Sequence, residues 1–183
     1  FKSLTFSRRC TMIESNREIK KPSEKREIMP RFEASALRGY CVSVLTASGV
    51  ERSCAEAVAD ALIDAELTGV STHGVSRLAV YMQRMDAGVM SRENNIRIVR
   101  ESTSTLVVDA GNSLGAAAAK FAMERCIAKA KETGCCFASV HSSNHFGTAA
   151  YYTRLAAAQD MIGFACTNLK GKIARSEEHT SEL

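Results

Sequence analysis

The amino-acid sequence predicts an α/β protein in which an N-terminal helical lobe precedes a β-α-β-α-β core. Three observations carry this. Apolar residues recur at helical spacing from Phe32 to about Val89. The period then shortens to brief apolar and β-branched runs, and an alanine-rich helical stretch separates two of them.

The first helical segment, Phe32 to Ala47, places Leu37, Cys41, Val42 and Leu45 on one stripe. In the second, "SCAEAVADALIDAELTG", Ser53 and Glu56 stand at capping-box spacing. Ala55, Val58, Ala59, Leu62 and Ile63 form its predicted buried face, Glu56, Asp60 and Asp64 its solvated one, and Gly69 suits the stop. After "VSTHG", the segment "VSRLAVYMQRMDAGV" repeats Val75, Leu78, Met82, Met85 and Val89 at helical spacing, which predicts core positions. "TLVVDA" (Thr105–Ala110) and "CCFASV" (Cys135–Val140) are predicted strands. Between them, Ser113 to Glu132 is a predicted helix with lysines near its C-terminus and Gly134 just beyond. "GTAAYYTRLAAAQD" predicts a further helix and "IGFACTN" a last strand.

At 183 residues and 45% hydrophobic content the chain is long enough to bury one sizeable core. No apolar run reaches the length of a membrane span, so no membrane partner is expected. Seven cysteines, an odd number without a CxxC pair, read as reduced thiols of a cytoplasmic protein. The net charge of +4 is unevenly placed: residues 1–31 hold nine Lys/Arg and four Glu, which leaves the rest at −1. A basic leader on a neutral body does not indicate a nucleic-acid partner.

Three regions follow. Residues 1–28 are polar and aperiodic and are expected to be a disordered or untranslated-like leader, with Met29 as the start of the folded part. A transit peptide is the rival reading, and the four glutamates argue against it. Residues 29–168 are the expected domain. Residues 169–183 are expected to be an unrelated or artefactual tail, because "RSEEHTSEL" resembles the in-frame translation of a sequencing-adapter oligonucleotide; His179 is given no functional weight there.

Two histidines stand within "HSSNHFGTAAYY" (His141–Tyr152), between a predicted strand and a predicted helix. Ligands of open α/β sheets gather at the carboxyl ends of strands, and a neutral histidine there can exchange a proton near pH 7. Gly147 lets backbone approach a ligand. The plain alternative is that His145 caps a helix. His73, Arg77 and Tyr81 lie at i, i+4 and i+8, a spacing that stacks them on one helical face, away from Val75, Leu78 and Met82. An imidazole, a guanidinium and a phenol in line suit a small carboxylate; a solvated stripe ending in Arg84 is the alternative. Cys135, Cys136, His141 and His145 superficially suggest zinc. Adjacent strand cysteines point to opposite faces, however, and "SSNHFG" does not form helix, so no metal is expected.

"DAELTGVSTHGVSRLAVYMQRMDAG" and "SSNHFGTAAYYTRLAAAQDMIGFACTN" closely resemble the type-2 malate/L-lactate dehydrogenase family, which includes ureidoglycolate and sulfolactate dehydrogenases; "DAGNSLGAAAAKFAME" fits between them. The likeness runs from about Met29 to Asn168, roughly the N-terminal half of a full member, so the chain is expected to be truncated. The resemblance implies a family-specific NAD(P)-binding fold, in agreement with the lack of a GxGxxG fingerprint. It implies an oxidoreductase acting on a small 2-hydroxy/2-oxo acid with NAD or NADP, a homodimer when full length. By position it implies His145 as the acid/base and His73 beside it in the catalytic set. Thr72, Arg77 and Tyr81 would bind substrate, and Thr167 and Asn168 would contact the cofactor. The match breaks at Leu169, Lys170 and Gly171, where serine and proline are expected. A different class of function is a catalytically inactive fragment acting as a binding or dimerisation module.

Overall fold

The structure is a computed structural model that describes residues 31–168. The predicted leader, Met29 and the whole predicted tail, including Leu169, Lys170 and Gly171, lie outside the described residues.

The helical lobe forms as the periodicity predicts. Helix α1 (Ala34–Ala47) buries Cys41, Val42 and Leu45. Helix α2 (Arg52–Leu67) buries nine residues, five of them alanine, and these small side chains allow close approach by its neighbours. The expected capping box is absent. The helix starts two residues earlier than the pattern places it, at Arg52 with Glu51 as the cap, so Ser53 sits inside the first turn. The Ser53 hydroxyl donates to Glu51 Oε1 at 2.6 Å, and Glu56 is drawn to Arg52 instead of back to the cap. Nor is the acidic row simply solvated. Asp60 accepts from Arg38 of α1 at 2.6 Å and from Lys120 at 3.0 Å, and Asp64 pairs with Arg154. A helix flanked on two sides has little free face, so its carboxylates become ion-pair seams between helices.

A 3₁₀ turn, Ser71–His73, leads to α3 (Arg77–Asp86), which buries Leu78, Tyr81 and Met85. Val75 and Met82 are half-buried against this core, whereas Val89, expected within it, is 51% exposed. Gly88 at φ +69° ends the helical repeat, which turns Val89 outward and buries Met90 in its place.

The α/β core holds a three-stranded sheet in the order β1 (Arg97–Glu101), β2 (Thr105–Asp109), β3 (Phe137–His141). β1 runs antiparallel to β2 and β2 parallel to β3. The crossover is α4 (Gly115–Thr133), ended by Gly134 in the left-handed region at φ +84°. Leu106 and Val108 of β2 and Ala118 and Ala122 of α4 are buried. Helix α5 (Ala149–Ala157) follows and contributes Tyr151 and Tyr152 to the helical core.

The class predicted from sequence therefore holds, but the order within the core is β-β-α-β-α. Strand β1 was not expected: of its five residues only Ile98 is even half-buried, so it carries no apolar run. Conversely "IGFACTN" forms no strand among the described residues. Ile162 is fully exposed and Phe164 is 79% exposed, because no neighbouring strand pairs with this extended segment.

Candidate active site

Parallel pairing of β2 with β3 brings their carboxyl ends together, with Asp109 opposite His141. The two loops that leave this edge are tied to each other. Ala110 N–H donates to the His141 carbonyl at 3.0 Å and Asn112 N–H to the Ser142 carbonyl at 2.8 Å. The Asn144 amide nitrogen then donates to the Asn112 carbonyl and side-chain oxygen, both at 2.9 Å, and lies 3.0 Å from the Ser113 carbonyl. Gly115, the first residue of α4, lies under the carbonyls of Asn144 and His145 so closely that a Cβ has no room. On the other side Tyr152 donates its hydroxyl to the Phe146 carbonyl, and the Phe146 and Tyr152 rings stack at 5.1 Å. His145 is thus anchored from both flanks.

The His145 ring meets the helical lobe. Its Nδ1 is 2.8 Å from the Tyr81 hydroxyl, and its face stacks on His73 at 5.3 Å between centroids. Tyr81 is 2% exposed. Burial pushes its phenol up to about 12, so it stays protonated. His145 remains open to solvent along part of its ring, while its covered edge shifts its pKa below the ordinary histidine value. Desolvation is the largest cause, followed by the electrostatic influence of His73, Arg77 and Arg84.

The predicted stacking of His73, Arg77 and Tyr81 on one helical face is corrected here. His73 belongs to the 3₁₀ turn, not to α3. The turn nevertheless delivers it to His145. Gly74 leaves no space for a Cβ against Glu66, whose carboxylate accepts the Val75 N–H at 2.8 Å. The Thr72 hydroxyl lies 3.0 Å from His73 Nδ1, and the Thr72 carbonyl accepts from Arg77 Nε at 2.5 Å. Thr72, His73, Arg77, Tyr81 and His145 therefore form one connected cluster. Thr167 and Asn168 are exposed near the end of the described residues, and the Thr167 hydroxyl lies 3.4 Å from the Asn168 carbonyl.

Among the described residues no group of three or more His, Cys, Asp or Glu gathers as a metal site. His141 Nδ1 turns to the Ser142 hydroxyl at 3.0 Å, away from the Tyr81–His145 contact. A cleft of about 370 Å³ lined by Arg38, Asp60, Lys120 and Phe121 does not include the His145 cluster.

Sequence reasoning overlooked Asn144, Asn112, Glu66 and Gly115. Asn112, at φ +60°, was signalled only by its place in "AGNSLG"; the others act through contacts that no local spacing reports.

A histidine with a lowered pKa thus rests against a buried phenol, with two arginines near it, at the carboxyl edge of the sheet. Comparison with known proteins gives its family. The malate/L-lactate dehydrogenase family matches residues 32–177, and the chain belongs to it. The chain is 36% identical over 137 residues to the malate/(S)-sulfolactate dehydrogenase of Methanothermus fervidus, covering 75% of this chain and 40% of that relative. It is 39% identical over 133 residues to the L-sulfolactate dehydrogenase of Methanocaldococcus jannaschii, covering 73% and 39%. The solved structure of malate dehydrogenase from Pyrococcus horikoshii superposes with a TM-score of 0.69 at 37% identity, over 71% of this chain and 37% of that one. The chain thus spans about 40% of the length of the curated relatives it matches.

Proposed function

We propose that the protein transfers a hydride between a nicotinamide cofactor, NAD or NADP, and a small 2-hydroxy/2-oxo acid, with His145 as general acid/base. The observation that carries this is the connected cluster of His145, Tyr81, His73, Thr72 and Arg77. When bound, the nicotinamide supplies or accepts the hydride at C4. Thr167 and Asn168 would help hold the cofactor: an exposed hydroxyl and a side-chain amide offer it hydrogen-bond donors and acceptors.

During reduction, the hydride forms a C–H bond at C2, the carbonyl π pair moves onto oxygen, and His145 delivers a proton to that oxygen. In oxidation His145 takes the hydroxyl proton as the hydride leaves. Its lowered pKa keeps the imidazole neutral near pH 7, ready for the second role. Arg77, with Nε fixed on the Thr72 carbonyl, keeps its two terminal nitrogens for the substrate carboxylate. Tyr81 orients the imidazole, and His73 covers one face of it.

The test supplies the protein with reduced nicotinamide and pyruvate or oxaloacetate and follows loss of the reduced cofactor. Turnover is expected, and His145→Ala should lower it by roughly a hundredfold or more with cofactor affinity and melting temperature retained. Equal turnover in the variant would remove His145 from the chemistry.

A further inference from the structure

Helix α3 presents a second arginine to the same place. Arg77, Tyr81 and Arg84 stand at i, i+4 and i+7, one face of the helix, with His145 docked on the middle member. Arg77 and Arg84 are separated by about 10 Å along the axis, a span that two long side chains can close from either end. Both are near enough to depress the His145 pKa.

Neither arginine has a carboxylate partner within ion-pair distance among the described residues. Elsewhere, the cations that join helices are matched: Arg38 and Lys120 by Asp60, and Arg154 by Asp64. Among the described residues Arg77 uses only Nε internally, and Arg84 makes one long bond, Nη2 to Asn144 Oδ1 at 3.3 Å, which aims it at the residue before His145. Two like charges held around a third, titratable one are unfavourable without a ligand and favourable around an anion with two charges.

We infer that Arg77 and Arg84 form a two-cation site around His145 that selects a dianionic 2-hydroxy or 2-oxo acid over a monoanionic one. Arg77 takes the carboxylate next to the reacting carbon and Arg84 takes the second acidic group. Arg84 is thereby a specificity-determining residue. This rests on the proposed reaction at His145 and adds the charge class of its substrate.

The experiment follows the His145 ring resonances of the isotope-labelled protein during titration with L-malate and with L-lactate at one fixed ionic strength. Malate should bind more tightly by about tenfold to a hundredfold, the worth of one charge-assisted hydrogen bond. Arg84→Gln should bring that ratio close to one, and Arg84→Lys should leave it between the two, since a point charge replaces a fork. Arg92→Gln removes the same net charge from an arginine paired with Asp86 and should keep the wild-type ratio. Arg84 is exposed, and melting curves of both Arg84 variants are expected to match wild type. A ratio near one in the unmodified protein, a ratio retained in Arg84→Gln, or an equal collapse in Arg92→Gln would each overturn the two-cation site while leaving the acid/base reading intact. If neither acid moves the His145 resonances, the proposed function falls as well.

Discussion

Gly115→Ala should misplace His145 more than it destabilises the protein. Two effects of opposite sign compete at this position. Alanine favours a helix over glycine by about 0.5–1 kcal/mol, and Gly115 opens α4 with no left-handed φ to forbid a side chain. Against this, a Cβ built here falls 2.6 Å from the His145 carbonyl oxygen and 2.7 Å from the Asn144 carbonyl carbon, and nearer still to the Asn144 oxygen. Real Cβ atoms stay beyond 3.0 Å, so the His145 carbonyl must retreat by at least 0.4 Å (3.0 minus 2.6) and Asn144 by more. These neighbours are backbone, held by the Asn112 and Asn144 hydrogen bonds on one side and the Phe146 anchor on the other, so they cannot swing aside cheaply. Overpacking of this kind costs roughly 1–3 kcal/mol, which exceeds the helix-propensity gain. The net expectation is a loss of about 0–2.5 kcal/mol of stability. Because displacements of about 1 Å can cost a hundredfold in rate, turnover should fall about tenfold to a hundredfold. Denaturant unfolding gives the first quantity, and turnover together with the Tyr81–His145 proximity seen by NMR gives the second. An alanine variant with wild-type turnover and an undisturbed Tyr81–His145 contact would refute the claim that Gly115 is the floor of this loop.

Two further outcomes follow from the charges. The folded-state pKa of His145 lies below its unfolded value, so in the interval between them the unfolded chain binds more protons. Its contribution to stability is therefore complete above the unfolded value of about 6.5 and is lost as pH falls through the depressed folded pKa. His145→Gln should flatten that part of the stability profile, which urea midpoints collected from about pH 5 to about pH 8 would reveal; an unchanged slope would assign it to other groups. Asp60→Ala should lower stability by roughly 1–2 kcal/mol, because it orphans Arg38 and Lys120 together while both keep some access to water. Malate binding read at His145 should survive that change, since Asp60 touches none of the groups around it; a loss of binding without a loss of stability would connect the ion-pair seam to the site.

What the sequence revealed and what it concealed divide along the range of the interactions. Helices α1 and α2 bury stripes whose spacing is local, and the periodicity of Leu45, Val58 and Leu62 reports that directly. The same reasoning failed at β1, where an edge strand needs only backbone pairing with β2 and leaves four of its five side chains exposed. It failed in the opposite sense at "IGFACTN", where a strand-like pattern has no ladder among the described residues to join. Pattern reports the burial a segment is suited to; pairing depends on a neighbour.

The candidate site shows the same division at the scale of single side chains. His145 was legible as a loop histidine after a strand, and Arg77 and Tyr81 as neighbours on one helix, because those relations span only a few residues. The contact that gives them chemical meaning, Tyr81 hydroxyl to His145 Nδ1, joins residues 64 apart in sequence and exists only because α3 docks against the β3–α5 loop. The spacing set Tyr81 on a face away from the core, yet its ring is buried in the core at 2% exposure while its hydroxyl meets His145. His73 reverses the lesson. Its helical spacing from Arg77 suggested a shared face, yet a 3₁₀ turn fixed by Glu66 and by the absence of a side chain at Gly74 brings it to His145 by another route. Residue types that can do acid/base chemistry are visible in a sequence; which of them share a proton is decided by the packing of elements far apart along it.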